Sequence, residues 1–193
     1  MKLAVASVLS LLASSTLAGP FGFEQGQTLA ELEAKVGKLD RTDEPTVFRS
    51  VKAPVPLKGI EAYGLLVGKE TGLCKVVGLG QDIATNDEGH ALQAAYAELK
   101  AALTKKYGEP TMVAESLAEG SIWDEPKDFM MGLKLGERRH GVIWSKVAAQ
   151  GLATIVLQAE ALNPNTGFLR LSYEFPNFKA CVAAKDELNP DAL

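Results

Sequence analysis

The sequence predicts a single α+β domain: a largely antiparallel sheet of about six to seven strands, a short N-terminal helix, and one long helix at about residues 88–107. Three observations lead there. Apolar residues recur at strong helical spacing in two places, Leu29–Val36 and Leu92–Leu103. Several other apolar runs have strand length and are bounded by Gly, Pro and Asn clusters. Too few helices alternate with those runs to build a doubly wound parallel sheet. No linker or repeat divides residues 19–193, which read as one domain behind a leader at 1–18.

The elements follow in chain order. Thr28-Leu-Ala-Glu31 has the form of a capping box, with Leu29, Leu32 and Val36 on one helical face and Gly37 as the stop, giving a helix over 28–37. Thr46 to Val51 reads as a strand, and Pro54 and Pro56 as a connector. Ile60–Val67 and Leu73–Leu79 are apolar runs joined by the hairpin loop Gly68–Gly72. Both runs are apolar on more than one face, which predicts well-covered strands rather than edges. Asn86-Asp87 is positioned to cap the long helix. Leu92, Tyr96, Leu99 and Leu103 form its stripe, Lys105 and Lys106 suit its C-terminal dipole, and Gly108 and Pro110 end it. Thr111–Ser116 suggests a short strand, and Pro126 the first turn of a helix through Leu135. Gly136–Gly141 reads as a polar loop. Three strands follow at Val142–Val147, Ala153–Ala161 and Phe168–Phe175, the last two joined by a turn at Asn163–Gly167. In Phe168–Phe175, charged and apolar residues alternate, as in a strand with one wet face. A final helix from Asn177 to about Leu188 carries Cys181.

Composition narrows the function. The 193 residues are 47% hydrophobic and 23% charged, with net charge −4, so bulk attraction to nucleic acid or anionic lipid is not expected. Lys2, the apolar run Leu3–Leu12 and the small residues Thr16 and Ala18 match a signal peptide cut before Gly19. The run is too short to span a bilayer, and no Cys follows the cut site to take a lipid anchor. A soluble periplasmic or secreted chain with no membrane anchor is the expectation. The only two cysteines, Cys74 and Cys181, are then expected to pair. Closing a loop of about 108 residues is worth up to ~5 kcal/mol in the chain-entropy model. The competing reading is a catalytic thiol, for which only His90 and His140 are on hand as bases.

Catalytic motifs fail on spacing. Gly64-Leu-Leu-Val-Gly68-Lys69-Glu70 has three residues between the glycines where a phosphate loop has four. It also puts a carboxylate where a hydroxyl is needed. Gly78-Leu-Gly80 lacks the third glycine of a dinucleotide site. Neither His has a partner at metal-ligand spacing, and no Gly-x-Ser-x-Gly elbow occurs. No cofactor and no metal are expected. Asp124, Glu125 and Asp128 beside Trp123 suit either the start of a helix or a carboxylate pair for glycoside hydrolysis. Trp123, Asp124, Phe129, Met130 and Met131 form the candidate binding patch, since an aromatic beside a Met pair makes an adaptable contact surface. The alternative is that the large apolar members are core.

The opening Phe21-Gly-Phe-Glu-Gln-Gly26-Gln-Thr28, with Leu29, Leu32 and Gly37, resembles the first helix of small exported bacterial proteins. These are the SmpA/BamE outer-membrane assembly lipoproteins and the beta-lactamase inhibitory protein. Gly26, Thr28 and Gly37 match, while Gln27 stands where Met is common. The likeness spans Phe21 to Gly37. It implies an α+β scaffold that binds proteins rather than doing chemistry, and it transfers no functional residue. The expected function is that of an exported, non-enzymatic binding or accessory protein with a protein or small-ligand partner in the cell envelope. The alternatives are a cell-envelope hydrolase using carboxylates such as Asp124 or Glu125, and a purely structural accessory protein.

Overall fold

A computed structural model describes residues 19–187; the expected leader at 1–18 and Leu188, the expected end of the last helix, lie outside the described residues. The chain is α+β, as the patterning predicts. Six strands have four or more residues: β2 (Val47–Ser50), β3 (Ile60–Gly68), β4 (Gly72–Gly80), β9 (Gly141–Trp144), β10 (Thr154–Asn163) and β11 (Thr166–Glu174). Five two-residue strands complete the set: β1 (Asp40–Arg41), β5 (Ile83–Ala84), β6 (Met112–Val113), β7 (Ser116–Leu117) and β8 (Arg138–Arg139). The helices are α1 (Leu29–Val36), α2 (His90–Tyr107), α3 (Phe129–Lys134) and α4 (Phe178–Glu187).

Nine strands make one antiparallel sheet in the order β1-β2-β3-β4-β11-β10-β9-β6, with β5 beside β11. The other two, β7 and β8, pair separately, so the expected polar loop at Gly136–Gly141 contains a strand and the expected strand at Thr111–Ser116 divides into β6 and β7. Two residues carry too little hydrophobic period to be read from sequence, and tertiary pairing alone defines them.

Local chemistry explains the helices. Thr28 Oγ1 accepts the Glu31 N–H while Glu31 Oε2 accepts the Thr28 N–H, so the capping box is complete. The long helix starts at His90, two residues later than expected, because Gly89 takes a left-handed conformation with φ +72°. Asn86 still serves the helix: its Oδ1 accepts the His90 N–H, and Thr85 Oγ1 accepts that of Ala91. A Cβ on Gly89 would lie 2.5 Å from the Phe129 ring, so glycine also lets α3 approach. The Cys74–Cys181 disulfide is present and ties α4 to β4. Asn177 Nδ2 adds bonds to the carbonyls of Thr71 and Leu73.

Residues opposite one another in the register share a face of the sheet. One face carries the row Phe48, Leu65, Val76, Tyr173, Ile155, Trp144, every member buried. Helices α1, α2 and α3 pack here. The space over Gly167, on this face, is filled by Leu92 of α2 and Met130 of α3. Phe21 enters edge-on against Tyr63 and Tyr173, at centroid distances of 5.1 and 5.4 Å. These residues with Leu32 and Val36 of α1 form one continuous core.

Candidate functional site

The other face of the sheet is only partly covered among the described residues: Phe178 of α4 lies 5.0 Å from Lys75 Nζ at one end, and the rest carries no helix. Its central row runs Arg49, Gly64, Val77, Ser172, Val156, Ile143, Met112, unbroken across seven strands. Rows on either side hold Val47, Leu66, Lys75, Glu174, Thr154 and Ala62, Leu79, Arg170, Gln158. Of these sixteen residues only Ser172, short and ringed by neighbours, is buried. None belongs to the hydrophobic core. Buried and partly exposed residues alternate strictly along β3 from Ala62 to Leu66 and along β4 from Lys75 to Leu79.

This corrects one expectation. Ile60–Val67 and Leu73–Leu79 are interior strands with neighbours on both sides, as predicted, but the second apolar face that suggested full coverage is only partly covered among the described residues. This face has apolar shoulders and a charged middle. Lys75 Nζ meets Glu174 Oε1 at 2.8 Å, and Arg170 lies 3.9 Å from Glu160. From β2 to β9 the face is about 24 Å across at ~4.8 Å per strand, and the long strands run about 30 Å. The resulting area is on the order of 700 Å², close to the ~800 Å² each partner contributes to a standard protein interface.

Of the five residues expected as a patch around Trp123, the structure sends two into the core and brings Asp124 and Phe129 together at one cavity. Phe129 and Met130 are core, at 8% and 0% exposure, while Trp123 and Met131 are half-buried and Asp124 is exposed. The reason is α3, which lies against β10 and turns Phe129, Met130 and Leu133 inward. Trp123 is held by its backbone, its carbonyl accepting from Arg138 Nη2 at 2.9 Å. Glu125 is exposed and pairs with Lys127 at 2.7 Å, and this hydrogen bond holds its carboxyl below the usual range. A general acid for glycoside cleavage needs the opposite displacement.

Cavities lie on the helical side as well. An apolar groove of about 430 Å³ runs between α2 and the sheet end, walled by Leu57, Ile60, Ile83, Leu99 and Leu169, with Lys58 among its lining residues. A smaller cavity of about 230 Å³ is lined by Glu88, His90, Gln93, Asp124, Phe129 and Arg138. His140 lies behind it, its ring 4.3 Å from that of Tyr96 and 5.4 Å from that of Phe129. Burial lowers the His140 pKa, and Lys100 and Arg138 push the same way against Glu115. Burial raises the Tyr96 hydroxyl to about 12. Among the described residues no group of three or more His, Cys, Asp or Glu is placed to hold a metal ion. No helix among them is long and apolar enough to cross a membrane.

No family model matches the chain, and no curated protein or solved structure shows a significant match to it. The partly covered sheet face is the feature that sequence reasoning missed. Its signal was present in the apolar residues that Ile60–Val67 and Leu73–Leu79 place on both faces; among the described residues no helix covers the centre of one of them.

Proposed function

We propose that the protein is an exported, periplasmic or secreted binding protein that holds a folded protein partner against its open sheet face. The observation that carries this is the pair of apolar shoulders flanking the charged middle of that face: Ala62, Leu66, Val77 and Leu79 on one side and Val156 and Ile143 on the other stay partly exposed on strands interior to the nine-stranded sheet. Apolar patches of several hundred Å² are uncommon on free monomers and mark interaction sites. The interspersed Lys75, Glu174, Arg170 and Glu160 supply register and selectivity. Export rests on the leader pattern at 1–18, and the Cys74–Cys181 bridge fits an oxidising compartment. The resemblance of Phe21–Gly37 to the SmpA/BamE and beta-lactamase inhibitory proteins leans toward the same role.

The groove beside α2 favours a second reading, in which the partner is a small apolar molecule held against Leu57, Leu99 and Leu169. One comparison separates the two. Val77→Glu places a charge in the centre of the open face, and Ala102→Trp fills the groove from an exposed position of α2. Affinity for whatever the wild-type protein retains from envelope extract is then measured for both variants. The sheet-face reading expects Val77→Glu to weaken binding by ~2 kcal/mol or more, as at an interface centre, with Ala102→Trp neutral. The reverse pattern supports the groove and removes the sheet face from the account.

A further inference from the structure

The small cavity under the start of α2 has an unusual charge arrangement. Glu88, Asp124 and Arg138 all line it, yet Arg138 makes no ion pair with either carboxylate among the described residues. Arg138 uses Nη2 on the Trp123 carbonyl, and its planar group lies 5.6 Å from the centre of the Phe129 ring. Its Nε is fully buried and has no acceptor. One of five guanidinium donors is thus engaged. Glu88 Oε2 meets His90 Nε2 at 2.7 Å, while Asp124 has no side-chain partner among the described residues. Gln93 is fixed by its Nε2 bond to the Glu88 carbonyl at 2.7 Å. Opposite charges that share a cavity without touching are complementary to a ligand carrying both signs. At about 230 Å³ the space suits a molecule of amino-acid size.

We propose that this cavity binds a free α-amino acid as its zwitterion. The guanidinium of Arg138 takes the carboxylate, the geometry for which arginine is the preferred residue. The ammonium lies between Glu88 and Asp124, and the side chain rests along Phe129. The site is independent of the sheet-face reading, because it lies on the helical side of the molecule. No covalent step is involved.

The probe is L-leucine, titrated calorimetrically into the purified full chain. Its deaminated analogue 4-methylpentanoate and its decarboxylated analogue 3-methylbutylamine are run beside it. L-Leucine is expected to bind, with each analogue weaker by about tenfold or more, because each loses one charge-assisted contact. Asp124→Asn changes an exposed residue, so a thermal melt unchanged from wild type accompanies an expected several-fold loss of affinity. Glu88→Gln is expected to act in the same direction, and the pair together to lose more. Arg138→Lys keeps the charge and loses the fork, and is expected to weaken L-leucine and 4-methylpentanoate while leaving 3-methylbutylamine unchanged. Absence of heat with L-leucine at millimolar concentration overturns the proposal. So does equal affinity for all three probes, or full affinity in the folded Asp124→Asn, Glu88→Gln double variant. Val77→Glu leaves L-leucine binding intact, so failure of one reading is distinguishable from failure of the other.

Discussion

Removing the ring of Phe21 is expected to destabilise the fold by ~3–4 kcal/mol, within the range for a buried Phe→Ala change. Phe21 is 8% exposed and is the sole non-glycine among the described residues with positive φ, at φ 57°. Burying a phenylalanine removes ~150–250 Å² from water, worth about 4–6 kcal/mol at ~25 cal/mol per Å². The segment is also pinned by a bond from the Val55 N–H to the Phe21 carbonyl at 2.9 Å. At ~2–4 °C per kcal/mol for a domain of this size, Phe21→Ala is expected to lower Tm by about 10 °C. The left-handed backbone adds a signature. Alanine pays about 1 kcal/mol there and glycine does not, so Phe21→Gly is expected to be the more stable of the two, the reverse of their usual order. Gly78 supplies the cross-check. A Cβ on it would lie 2.8 Å from the tip of the Phe21 ring, so Gly78→Ala is expected to cost ~1–3 kcal/mol alone. In the Phe21→Ala background it is expected to cost at least ~1 kcal/mol less. Urea unfolding of the four proteins in this cycle, with Phe21→Gly, measures every term. Additive effects, or Phe21→Gly less stable than Phe21→Ala, refute the docked and strained Phe21.

Other expectations follow from the same structure. Replacing both Cys74 and Cys181 by alanine removes a cross-link between residues 107 apart and is expected to cost up to ~5 kcal/mol. Hydrogen exchange should then show α4 opening before the sheet, and mass spectrometry of non-reduced peptides from the native protein should show the bridge. His140 has a depressed pKa in the fold, so the unfolded chain binds the proton more readily. Stability is therefore expected to fall as pH drops below the ordinary value of 6.5, and to level off below the depressed folded pKa. Subtracting the pH profile of His140→Phe isolates this contribution; identical profiles refute it. Trp144, at 1% exposure with Nε1 donating to the Gly108 carbonyl, is expected to cost ~3–5 kcal/mol on change to alanine. Half-buried Trp123 is expected to cost ~1–2 kcal/mol, and equal melts for the two variants would contradict their assigned burial.

Local rules made much of the fold legible. The capping box at Thr28 and Glu31, the Leu92–Leu103 stripe and the hairpins at Gly68–Gly72 and Asn163–Gly167 all depend on residues close in sequence, and the helices and turns form there. The cysteine pair followed from parity and the expected compartment. The two-residue strands were illegible because only distant partners define them. Arg138 and Arg139 read as a loop, yet they pair with Leu117 and Ser116. The candidate site was the least legible part. Phe129 and Met130 have the composition of a contact patch, and only the docking of α3 on β10 sends them into the core. Conversely, Val77 and Leu66 have the composition of core. Whether a second layer covers them depends on the placement of all the helices, which periodicity within one strand does not encode.

Site-specific photocrosslinking in the producing cells tests the open face most directly. A benzophenone side chain is placed at Val77 and Val156 on that face, and at Ala94 and Ala101, exposed positions of α2. The account predicts adducts with a second protein from Val77 and Val156 and none from Ala94 or Ala101. Adducts from the helix positions alone, or none from Val77 and Val156, would contradict it.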